Sequence, residues 1–160
     1  MARTLLIATT MATLLLTGCT TEGPTTVTTI DEAKAELFSV QDQLLAYVPE
    51  AAVTSPTEVS SDSGTLIDCD SGYSWPGTAQ VRIDPTTDTD GILTAIESDW
   101  ASKPGWTATW DETSKTRYLT LTRDDGLKFA LGSLSDNTVF DVASFSSCFA
   151  LDDYDPNARY

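Results

Sequence analysis

From Trp106 onward the chain alternates apolar and polar residues with a period of two, and this pattern constrains the fold more than any other feature. Trp106, Ala108 and Trp110 alternate with Thr107 and Thr109, and Leu119 and Leu121 alternate with Thr120 and Thr122. Leu127, Phe129 and Leu131 follow directly after Asp125-Gly126, a dipeptide suited to a tight hairpin turn. Strands of this kind have one apolar face, and short turns between them give an antiparallel meander. A fourth run extends from Thr138 to Phe149. Val139, Phe145 and Phe149 share one parity there while Phe140, Val142 and Cys148 share the other. Either both faces of that strand are partly covered or a bulge intervenes.

A sheet with one apolar face needs a cover, and two segments of helical period supply it. Thr29 and Glu32 have the capping-box spacing, and Asp31 and Glu32 fall in the first turn. Ile30, Ala33, Leu37, Val40, Leu44 and Val48 then form a stripe that stops before Pro49. The polar side of this helix carries Glu36 and Asp42 against Lys34, the wrong sign for docking on anionic lipid, so the apolar stripe belongs on the sheet. The second helix runs within Asp88 to Lys103, with Leu93, Ile96 and Trp100 on one face, and ends at Pro104-Gly105. Between the helices, residues 50–64 read as an irregular connection. Leu66 to Asp70 is a short strand, Ser71 to Gly77 is turn-rich, and Ala79, Val81 and Ile83 mark a better strand. The order helix, strand, strand, helix, four strands predicts an α+β fold with both helices packed on one face of an antiparallel meander sheet.

The amino-terminal residues address location. Arg3 precedes an apolar run from Leu5 to Leu16, the layout of an export signal. A dozen residues cannot cross a hydrocarbon core that takes about 20 helical residues, so the run is no permanent membrane helix. It closes on Leu16-Thr17-Gly18-Cys19, which resembles the bacterial lipoprotein lipobox of Leu, a small residue, Gly or Ala, and Cys. That resemblance implies diacylglyceryl transfer to the Cys19 sulfur, cleavage before Cys19, and anchoring by palmitate-type acyl chains, of which two hold a protein stably at a membrane. Thr20 to Thr29 is threonine-rich without apolar period and reads as a tether. The expected organisation is a signal peptide over 1–18, a lipidated cysteine and tether over 19–29, one α+β domain over 30–151 and a frayed acidic tail over 152–160, on the extracytoplasmic face of the cell membrane.

With Cys19 taken by lipid, Cys69 and Cys148 remain as an even pair in an oxidising compartment, and a structural disulfide is expected. The chain contains no histidine, so metal ligation or a catalytic thiol would lack its usual partner. The layout as a whole resembles the small uncharacterised lipoproteins of Gram-positive, actinobacterial type. The resemblance rests on arrangement and carries no functional residues with it.

Net charge narrows the partners. The chain carries 24 acidic against 9 basic residues, a formal charge of −15, and Arg3 leaves with the leader. Nucleic acid is excluded, and anionic headgroups would repel the domain, so it touches the membrane through its acyl chains. Solubility accounts for the acidity more economically than an acidic recognition surface does.

Three constellations compete as chemistry. Thr86-x-Asp88-x-Asp90-Gly91-x5-Glu97 follows the calcium-binding loop of an EF-hand, but Thr86 stands where the first Asp belongs and a strand precedes it. Asp88 or Asp90 capping the helix explains the same acids without metal. Among the aromatics, Trp106 and Trp110 have core parity, leaving Tyr73 and Trp75 as candidates for stacking on a ligand or for plugging the core. Hydrolysis has the least support. No Ser-x-x-Lys lies in the mature chain, and the pairs Asp124-Asp125 and Asp152-Asp153 sit where solvated acids are common. The expectation is a lipid-anchored domain acting by binding or contact in the envelope, with no cofactor implied. The alternative is a carrier or sensor of a small molecule or envelope glycan held between helix and sheet, and an enzyme comes third.

Overall fold

The computed structural model describes residues 29–59, 64–70, 72–113 and 116–160. The expected signal peptide, Cys19 and the expected tether up to Thr28 lie outside them.

The first helix, α1 (Ile30–Leu45), begins as its sequence dictates: Thr29 accepts from the Glu32 N–H while Glu32 reaches back to the Thr29 N–H, a reciprocal capping box. Ala33, Leu37, Val40 and Leu44 on its stripe are buried, and Ile30 is half-buried against the core. The stripe predicted from sequence is therefore the packing face. The second helix, α2 (Thr89–Trp100), is capped by Asp88, whose carboxylate accepts from the Gly91 N–H at 2.9 Å, and it buries Ile92, Leu93, Ile96 and Trp100.

Among the described residues eight strands accompany them: β1 (Val53–Val59), β2 (Ile67–Cys69), β3 (Gly72–Ser74), β4 (Pro76–Ile83), β5 (Trp106–Thr113), β6 (Thr116–Arg123), β7 (Lys128–Leu134) and β8 (Val139–Phe145). Six form one antiparallel sheet in the order β1-β4-β8-β7-β6-β5, and β2-β3 make a separate hairpin. The meander β5 to β8 is the alternating run of the sequence. Asp125-Gly126 sits in the β6-β7 turn, with Gly126 at φ +92, a conformation that excludes most side chains. Six strands about 4.8 Å apart make a face roughly 24 Å wide, which two helices about 10 Å thick can cover. Accordingly α1 lies on β4 and β8 while α2 lies on β5, β6 and β7, both on the same face.

Four expectations need correction. Residues 53–59, read as irregular, form the edge strand β1; an outer strand tolerates the missing donor of Pro56, and the pairing with β4 shifts register around it. The last strand stops at Phe145 with unbroken pairing to both neighbours, so the two parities arise without a bulge: Phe140 and Val142 lie under the helices, while Val139 and Phe145 on the outer face are shielded in part by neighbouring side chains. Cys148 consequently lies beyond that strand, at a sequence separation of 79 from Cys69, to which it is disulfide-bonded. The terminal residues expected to fray fold back instead: the Tyr160 carbonyl accepts from the Gly64 N–H, and Tyr154 stacks between Tyr73 and Tyr160 at 4.4 and 5.8 Å.

Candidate binding face

Alternation that buries one side of β4, β6, β7 and β8 under the helices sends the other side outward, and none of the described residues forms a helix over it. At the centre of this outer face the side chains are small. Thr120 pairs with Ala130 and Ala130 with Ala143, so neighbouring strands contribute a floor of methyl groups. The floor lies in a trough of about 400 Å³ bordered by Asp111, Tyr118, Lys128, Asp141 and Phe145. That volume falls within the range usual for small-molecule sites, roughly 300–1,000 Å³.

One end of the trough is built around Asp141. Its cross-strand neighbours are Gly132 on β7 and Gln80 on β4. Gln80 donates to Asp141 Oδ1 at 2.7 Å, and the residue is only 8% exposed. Gly132 is required by close approach: a Cβ there would come within 2.6 Å of the Tyr118 ring, which rests on the bare backbone beside Asp141. Asp111 pairs with Tyr118 and is exposed at the outer margin. Lys128 pairs with Phe145 at the opposite end, four residues along β8 from Asp141, a span of about 13 Å.

Burial pushes the Asp141 carboxyl above the ordinary aspartate range, and the hydrogen bond from Gln80 offsets this only in part. The sign for stability follows. A carboxyl with a raised folded pKa favours folding in its protonated form, so its contribution is complete below the unfolded value of about 3.9 and is lost as pH rises through the folded value. Asp141→Asn keeps the acceptor for Gln80 and removes the charge. It is expected to raise the melting temperature at pH 7, with the gain shrinking toward pH ~3. Equal melting temperatures at neutral pH would mean that Asp141 is well solvated.

Two other concavities adjoin polar clusters that tie elements of the fold together. Beside the disulfide, Arg123 holds Asp125 through two hydrogen bonds of 2.8 and 2.6 Å and Glu36 through one of 2.6 Å, and the Ser147 hydroxyl donates to Asp125 at 2.9 Å. Burial would raise the Asp125 carboxyl, but hydrogen bonds from Arg123, Ser147 and the Leu127 N–H, together with the guanidinium charge, hold it below its usual value. This cluster ties α1 to the β6-β7 turn and to the segment leaving β8. The third concavity adjoins α2, where the β7-β8 turn carries Ser135, Asp136 and Asn137 all at positive φ. The Asn137 side-chain amide donates to the carbonyls of Pro85 and Thr87 and accepts from Thr89, clipping this turn to the start of α2.

The residues singled out from sequence are scattered. Asp88 is the α2 cap, Asp90 lies 3.9 Å from Arg117, and Glu97 is about 13 Å of helix rise beyond Asp88, so the three do not converge. Thr86, the weak first position, hydrogen-bonds Asp84. Trp75 is fully buried and donates its indole N–H to the Tyr160 carbonyl at 3.3 Å, which removes it from any ligand surface. Tyr73 has one ring face against Tyr154 and its backbone paired with Phe149. The trough itself went unread because its residues belong to the parity that a search for core sets aside. The available signal was an aspartate inside the apolar run Val139 to Phe145.

No protein-family profile matches the chain, and no curated protein matches it. Among solved structures, a DUF4853 family protein from Actinomyces odontolyticus is similar to it, with a TM-score of 0.52 and 17% identity, over 84% of this chain and 76% of that one. At that identity the likeness shows a shared fold and nothing further.

Proposed function

We propose that this protein is a lipid-anchored extracytoplasmic domain that acts by binding a ligand on the open face of its sheet. The observation that carries the binding half of the reading is the trough over Thr120, Ala130 and Ala143, with the nearly buried Asp141 at one end and Lys128 at the other. Side chains fill the helix-sheet interface, including Leu37, Leu44, Leu93 and Ile96, none more than 2% exposed, so the outer face is the better place for a ligand. The anchoring half rests on Leu16-Thr17-Gly18-Cys19. The Cys69–Cys148 bridge fits an oxidising compartment, and among the described residues no helix is long and apolar enough to cross a membrane.

Anchoring is tested by detergent phase partitioning of the protein made in a bacterial host. The parent chain is expected in the detergent phase and Cys19→Ala in the aqueous phase, because losing two acyl chains removes about 0.8 kcal/mol per buried methylene. Equal partitioning of the two would refute lipidation at Cys19.

A further inference from the structure

Resting on the reading of the open face as a binding surface, we infer that the trough takes a ligand bearing a protonated amine, seated between Asp141 and the Tyr118 ring, with its body along the Thr120–Ala130–Ala143 floor. The structure gives Asp141 one donor, Gln80, at Oδ1. A nearly buried carboxylate with one amide donor is under-compensated, and the usual partners for such a group are N–H donors carrying positive charge. Among the described side chains of this face the cations near the trough are Lys128, about 13 Å away along β8, and Arg82, which stands two residues along β4 from Gln80 and is turned to Glu58 at 3.8 Å; no ion pair to Asp141 is formed by either.

The surroundings favour a cation over a neutral group. Tyr118 rests on Gly132, the residue directly opposite Asp141, so its ring lies about one strand spacing, roughly 5 Å, from the carboxyl. An ammonium beside the carboxylate gains its charge, and one that also reaches over the open face of the Tyr118 ring adds a cation–π contact. Asp111, opposite Tyr118 on β5, adds a second negative charge at that end, and the strong net negative charge of the chain steers cations toward it. The floor selects the rest of the ligand. Alanine and threonine side chains leave room for a body to approach the sheet closely, and Lys128 at the far end repels a second cation, so one amine with an uncharged or anionic distal group fits better than a diamine.

The test uses the full-length protein and a matched pair of probes, 5-amino-1-pentanol and 1,5-pentanediol, which differ in the charged end. Amide chemical shifts are followed during titration at pH 7 to probe concentrations of roughly 10 mM, the range in which weak complexes saturate measurably. The expected result is saturable movement of the Tyr118, Ala130, Gly132 and Asp141 amides with the amine and not with the diol. Asp141→Asn should weaken the amine about ten- to a hundredfold, the range for loss of one charge-assisted hydrogen bond, whereas Asp124→Asn on the exposed β6-β7 turn should leave it unchanged. Because Asp141→Asn is expected to be the more stable protein, lost binding cannot be ascribed to unfolding. If amine and diol move the same trough amides equally, or Asp141→Asn binds as the parent does, the amine assignment is wrong while the open face remains a binding surface. If neither probe moves those amides, or shifts occur only elsewhere, both the assignment and the open-face reading fall, and the anchoring result stands independently of them.

Discussion

Trp75→Ala is expected to destabilise the protein by about 3–5 kcal/mol, the usual range for truncating a fully buried aromatic ring and a large part of the roughly 5–15 kcal/mol a domain possesses. Trp75 sits between β3 and β4, where the chain leaves the small hairpin and enters the main sheet. Its ring meets Phe38 of α1 edge to face at 5.4 Å, and Lys34 lies 5.2 Å above it. Its backbone is fixed as well, with the Trp75 N–H donating to Ser146 Oγ at 2.9 Å and the Ser146 N–H donating to the Trp75 carbonyl at 3.0 Å. The indole N–H then holds the Tyr160 carbonyl. Truncation therefore opens a cavity beneath α1 and releases the terminal segment together. Trp75→Phe keeps most of the volume and loses the indole donor, so it should recover the larger share of the stability while Tyr160 stays loosened. Denaturant unfolding measures both, through a lowered midpoint at unchanged slope. A loss below about 1 kcal/mol for Trp75→Ala would show that the ring is solvated in solution and would restore it as a surface candidate.

What made Trp75 hard to place from sequence also explains which parts of the fold were legible. The helices and the meander announce themselves locally: Thr29 with Glu32, Asp88 ahead of α2, and the strict alternation from Trp106 to Leu131 each fix an element from neighbours within a few residues. Trp75 is flanked by Ser74, Pro76 and Gly77, a composition of turns, and only the long-range return of Ser146 and Tyr160 makes its site a core. The terminal segment misleads in the same way, since its aspartates suggest solvation while Leu151, Tyr154 and Tyr160 supply the contacts that dock it. β1 was hidden by Pro56, a residue that disfavours a strand everywhere except at an edge. The open face shows the limit most clearly. Asp141, Gly132 and Tyr118 are far apart in sequence and unremarkable singly; register alone sets the aspartate beside the glycine that lets the tyrosine lie down.

The second large effect concerns the disulfide, and the fold changes where it should act. An early strand bridged to the end of the last one would pin β8 to the main sheet, but among the described residues β2 pairs with β3 alone, and Cys148 lies beyond β8. The bridge instead fastens the β2-β3 hairpin to the chain that leaves β8. The Tyr73 and Phe149 backbones reinforce it, each donating to the other at 2.9 Å. Its loop has a sequence separation of 79, for which constraint of the unfolded chain gives on the order of 4 kcal/mol as an upper figure, so replacing both cysteines with alanine is expected to cost about 2–4 kcal/mol. Because the six-stranded sheet is held by its own ladders and by both helices, the local consequence should be uneven. Hydrogen exchange should accelerate first at Tyr73 and Phe149, while amides of β6, β7 and β8 keep protection close to the global value. Thiol titration of the denatured, unreduced Cys19→Ala protein should find no free sulfhydryl. Two free thiols, or a double replacement that leaves both the unfolding midpoint and the exchange at Tyr73 unchanged, would show that the hairpin is held by its backbone pairing and side-chain packing alone.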